Sequence, residues 1–150
     1  MRLELTRRAD YAVRAMLALA VPDGPRPQSV RRIADRMGIP PRFLPQVMQD
    51  LSKADLVEAY AGRHGGYRLR HPADEISLLA IIEAVEGDTR RQSCVLRGGP
   101  CGADGFCAVH DVFAGAQDDV LDRLSRARLT DVSGIFERFG RDAIDGPGGR

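Results

Sequence analysis

Proline and glycine divide the first half of this chain so closely that little beyond three short helices and a hairpin fits between them. Leu5 to Val21 sets Val13, Met16, Leu17 and Ala20 at helical spacing, and Thr6 is placed to cap the helix. Pro22-Asp23-Gly24-Pro25 and Pro27 break it. Ser29 then opens a second helix with Val30, Ile33, Ala34 and Met37, which Gly38 ends. Pro40 and Pro41 introduce a third, with Phe43, Leu44, Val47, Met48 and Leu51 on its inner side and Arg42, Gln46, Gln49 and Asp50 outside. Pro45 lacks a backbone donor, so this helix is expected to begin late or bend there.

Two short helices around Gly38 form a helix-turn-helix. An extended run, Leu56 to Tyr60, follows, then Ala61-Gly62-Arg63-His64-Gly65-Gly66 and a second strand, Tyr67 to Arg70. A hairpin with a basic tip in that position is the wing of a winged helix, whose third helix enters the major groove. Residues 76 to 86 read as an apolar core helix ending at Gly87. The stretch 88–108 lacks periodicity and is rich in glycine. From Cys107 onward Val109, Val112, Phe113, Ala116, Val120 and Leu124 recur at helical spacing, an arm that calls for a partner helix. A short helix at Leu129 to Val132, capped by Thr130, and a disordered tail are expected to close the chain.

The expected fold class is therefore mainly α with a small β-hairpin: a winged helix-turn-helix domain with a long C-terminal dimerisation helix. The expected divisions are 1–87 for DNA binding, 88–108 for a cysteine-rich loop, 109–132 for the dimerisation and terminal helices, and 133–150 for the tail.

Charge separates the halves. Residues 1–72 hold 13 Lys and Arg against 7 Asp and Glu, a net +6, whereas residues 73–150 hold 9 against 14, a net −5. A basic front half suits duplex DNA, because neutralising phosphates releases condensed counterions. The composition, 43% hydrophobic and 29% charged, contains no apolar run near the length that crosses a bilayer. No secretory leader is evident, since Asp10 and Arg14 interrupt the first apolar stretch, and a cytoplasmic location is expected. An enzyme is not: there is no nucleotide-binding glycine loop, no paired-thiol motif, and no pocket for a small-molecule substrate beside His64 and His71.

All three cysteines of the chain, Cys94, Cys101 and Cys107, lie with His110 inside seventeen residues. Thiolates select zinc or iron-sulfur clusters over magnesium or calcium. Six residues separate the first pair and five the second, wider than the usual zinc knuckle, so iron-sulfur is preferred, with zinc and a bare thiol sensor as alternatives. His110 follows Cys107 by three, a spacing that on a helix places both on one face.

Leu5-Thr6-Arg7-Arg8-Ala9-Asp10-Tyr11-Ala12-Val13-Arg14, Phe43-Leu44-Pro45-Gln46, Gly62-Arg63-His64-Gly65-Gly66-Tyr67 and the cysteine loop together carry a resemblance. Over residues 1 to 132 the chain resembles the dimeric winged-helix regulators that include the cluster-assembly regulator IscR, the nitric oxide sensor NsrR and the iron regulator RirA. The resemblance implies a homodimeric transcriptional regulator, a repressor in the simplest reading, binding a double-stranded DNA operator under the control of a 2Fe-2S or 4Fe-4S cluster. It implies Cys94, Cys101 and Cys107 as ligands, with a fourth from His110, as in IscR, or from Asp10 of the other subunit, as in NsrR. Ligand softness and spacing favour His110, and with it 2Fe-2S. The Cys94 to Cys101 gap is one residue longer than in those patterns, which leaves the cluster type open. Arg42, Gln46 and Gln49 are expected at base edges, and Arg63, His64 and the amides of Gly65 and Gly66 at phosphates.

Overall fold

The computed structural model describes residues 4–89 and 107–146. Seven helices and one hairpin follow in order among the described residues: α1 (Arg7–Ala20), α2 (Val30–Met37), α3 (Leu44–Lys53), β1 (Val57–Tyr60), β2 (Gly66–Leu69), α4 (Leu78–Glu86), α5 (His110–Arg126), α6 (Leu129–Phe139) and α7 (Asp142–Asp145). This is the expected winged-helix order.

Helix α1 forms the middle of the core, touching α2, α3, α4, α6 and β2. Its buried face is mostly small, Ala9, Ala12, Ala15 and Ala18 beside Met16 and Leu17, which lets neighbouring helices approach closely. The Thr6 hydroxyl accepts from the Ala9 amide at 3.2 Å and fixes its start. Ser29 and Ser77 cap α2 and α4 in the same way, at 3.2 and 3.1 Å. Gly38 ends α2 in the left-handed region at φ 66°, where a side chain is disfavoured.

Helix α3 starts late, as Pro45 required: Phe43 is the N-cap and Pro45 falls in the first turn, where its missing donor costs nothing. Leu44, Val47, Met48 and Leu51 are buried. Phe43 departs from the expected inner face and is 40% exposed, because the core-facing stripe begins at Leu44, about 100° further round the helix.

The hairpin strands are antiparallel, with Val57 opposite Leu69 and Tyr60 opposite Gly66. Its outer edge is closed by Gln28, whose backbone exchanges hydrogen bonds with Tyr67 at 3.0 and 2.8 Å. Gly66 runs so close to that segment that a Cβ would lie 2.4 Å from the Gln28 carbonyl carbon and oxygen.

The C-terminal region corrects two expectations. Residues 133–145 are not a disordered tail: α6 continues to Phe139 and α7 follows, because Phe136 is buried in the core and Ile144 packs against it. Nor does Thr130 cap α6. Arg128 is the N-cap, and its amide donates to the Asp131 carboxylate at 2.7 Å. The α5–α6 joint is stitched to the start of α4 by Leu78 N–H to Ala127 O at 2.9 Å and Leu129 N–H to Ile76 O at 2.8 Å. Helix α5 packs on α4, yet none of its own residues is fully buried, and Val112 is 74% exposed.

Candidate nucleic-acid interface and metal-binding segment

Gln46 and Gln49 on the outer face of α3, and Arg42 just before the helix, are exposed to solvent. Gln46 Nε2 donates to Asp50 Oδ1 at 3.1 Å, one helical turn away, which leaves its carboxamide oxygen and its second N–H to an outside partner. Arg8, from the first turn of α1, bonds and ion-pairs with the same Asp50. Burial works to raise the Asp50 pKa, but the Arg8 and Gln46 hydrogen bonds outweigh it and hold the carboxyl below its ordinary value. The Arg42 guanidinium lies 4.6 Å from the Phe43 ring centroid, and Phe43 stacks on Tyr11 at 5.8 Å and 29°.

Arg63 and His64 stand exposed at the wing tip. Arg26, from the α1–α2 loop, reaches His64 Nδ1 at 3.4 Å, and Arg68 bonds the Pro25 carbonyl while covering Tyr60 at 5.4 Å. Loop and wing therefore form one basic edge. The Gly65 amide does not serve as expected: it donates to Gly62 O at 3.0 Å inside the tip turn, and Gly66 is engaged in the β-ladder opposite Tyr60. Sequence reasoning missed Arg8, Arg26 and the exposure of Phe43. Only Phe43 carried a local signal, since it lies one residue outside the strict apolar period.

Of the expected metal ligands, Cys94 and Cys101 lie outside the described residues. Cys107 is half-buried and precedes α5, so it does not share a helix face with His110. A turn joins them instead, the His110 amide donating to Cys107 O at 3.1 Å. Among the described residues no three His, Cys, Asp or Glu side chains converge. A thiol and an imidazole one turn apart are suited to a soft or borderline metal, and they fit as part of a ligand set completed from the cysteine loop. Asp10, the alternative ligand, is already chelated within its own chain: Arg14 Nε donates to both carboxylate oxygens, at 2.9 and 3.0 Å. Arg14 also reaches Asp145 at 2.6 Å and the Met37 carbonyl at 3.3 Å.

No helix among the described residues is long and apolar enough to cross a membrane. The family profile described as "Iron-dependent Transcriptional regulator", Rrf2, matches residues 5–134. The HTH-type transcriptional regulator IscR of Vibrio vulnificus is 32% identical over 146 residues, covering 95% of this chain and 86% of the relative. A putative HTH-type regulator of Rhodobacter capsulatus is 31% identical over 73% of this chain and 79% of its own. Among solved structures, CymR, the global cysteine regulator of B. subtilis, superposes with a TM-score of 0.75 at 25% identity, covering 89% of this chain and 98% of that one. T. potens IscR gives 0.73 at 27%, covering 92% and 91%. These relatives are transcriptional regulators and not enzymes. The exposed polar face of α3, the basic wing beside it and a match spanning most of the chain agree: this protein belongs to the Rrf2 family of DNA-binding, winged-helix transcriptional regulators.

Proposed function

We propose that the protein is a homodimeric, cytoplasmic repressor that binds its DNA operator through α3 and the wing, with its affinity set by an iron-sulfur cluster. The observation behind the sensing part is the turn from Cys107 to His110 at the start of α5, in which the His110 amide donates to the Cys107 carbonyl. Cys94, Cys101, Cys107 and His110 would hold the group, which when bound supplies a ligand link sensitive to iron supply, redox state or nitric oxide. The iron dependence in the family description and the similarity to IscR support it. His110 is preferred to Asp10 because Arg14 already holds both Asp10 carboxylate oxygens. With His110 as the fourth ligand 2Fe-2S is favoured, and 4Fe-4S is the alternative; Asp10 of the other subunit is the alternative ligand.

Ligation of the loop fixes how α4 and α5 are joined, and its release alters the separation of the two α3 helices in a dimer. Arg42, Gln46 and Gln49 face base edges, and Arg63 and His64, with Arg26, face phosphates. Arg63→Ala is expected to weaken binding to all sequences about equally and to lower the salt slope by about one ion.

The likeness to CymR favours a second reading, in which Cys107 acts as a thiol sensor without iron. Anaerobic purification with absorbance spectroscopy and metal analysis separates them, followed by operator binding in loaded and apo forms. The first reading requires iron and sulfide with a change in DNA affinity on their loss. Stoichiometric zinc, or DNA binding that responds to thiol oxidation without iron, would overturn it.

A further inference from the structure

Phe43 is a large apolar side chain at the surface where α3 begins. It is 40% exposed, whereas the adjoining Leu44 is fully buried, and the exposed residues around it are Pro41, Arg42 and Pro45, with Gln46 and Gln49 further along α3. It is also the N-cap of α3, and helix-turn-helix motifs present the N-terminal residues of this helix to base edges. Tyr11 stacks on the ring at 5.8 Å and 29°, and the Arg42 guanidinium lies 4.6 Å from its centroid. These contacts hold the ring at the surface beside Arg42.

One major-groove group suits an apolar edge. Thymine alone carries a C5-methyl there, and aromatic or aliphatic side chains contact it. Arg42, stacked on the same ring, retains the planar donor fork that reads guanine O6 and N7. The guanidinium and the ring lie side by side, so they present adjoining groups to the groove. We propose that Phe43 is a specificity-determining residue that reads the methyl of a thymine, in the base pair adjoining one whose guanine edge Arg42 reads. This rests on the assignment of α3 to the major groove.

The test uses the full-length protein, loaded and apo, and an operator recovered by selection from random-sequence duplexes. Each thymine is then replaced by deoxyuridine, which removes the methyl and nothing else. For wild type, one position in each half-site is expected to lose about fourfold in affinity, the worth of a buried methyl. Phe43→Leu should keep part of that penalty and Phe43→Gln should abolish it, while both retain salt-dependent binding to unrelated duplex. An operator indifferent to uracil at every position, or an equal penalty in Phe43→Gln, overturns the proposal and leaves DNA binding intact. Failure of wild type to select any sequence overturns the DNA assignment of α3 as well.

Discussion

Arg14 shows how one residue ties distant parts of the chain together. It bonds Asp10 on its own helix, the Met37 carbonyl at the end of α2, and Asp145 in α7. The Arg14 and Asp145 side chains are only 15% and 21% exposed, so this pair is screened less than a surface ion pair. The Arg14 hydrogen bond is the main reason that the Asp145 carboxyl titrates below its ordinary value. A carboxylate depressed in the folded state stabilises it above the unfolded pKa of about 3.9 and loses that contribution as pH falls through the folded value. Asp145→Asn is expected to cost about 1 kcal/mol at pH 7 and progressively less as pH falls through the depressed folded value, as read by urea unfolding across pH. A destabilisation that persists unchanged at acid pH would show that the loss is not electrostatic. None of this was legible beforehand, because Asp145 is 131 residues from Arg14 and nothing local marks it.

At the scale of elements, caps and breakers carried the prediction well. Thr6, Ser29, Gly38 and Gly87 stand where helices begin or end, since capping is a contact within one turn and needs no tertiary partner. Thr130 failed for the complementary reason: Leu129 N–H bonds Ile76 O, a partner from a distant segment, and the helix starts at Leu129 with Arg128 as its N-cap. The wing was legible as a hairpin, but its attachment to Gln28 was not. Gly66→Ala is expected to force Gln28 and Tyr67 apart, costing about 2–3 kcal/mol and loosening the wing. Thermal unfolding and the salt dependence of DNA binding would both register it. Unaltered stability would mean that the backbone yields more easily than the 2.4 Å approach implies.

At the scale of the whole molecule, the C-terminal helices complete the core that the winged helix begins. Leu129 and Phe136 are buried against it, so Phe136→Ala is expected to cost about 3–4 kcal/mol in chemical unfolding. Helix α5 behaves oppositely. Val112 is 74% and Phe113 39% exposed, which fits an arm awaiting a second copy. Val112→Asp should leave monomer folding nearly unchanged and shift sedimentation from dimer to monomer; an unaltered dimer would move the interface elsewhere. The sequence by itself determined the helix and strand order, the polar face of α3 and the basic wing, because period, punctuation and charge are local properties. Only the tertiary structure decided that the last fifteen or so described residues are helical and that Arg14 engages Asp145 as well as its helix neighbour Asp10. Each of those depends on which surfaces meet across the fold, and a residue's environment is set by neighbours that its own segment of sequence does not contain.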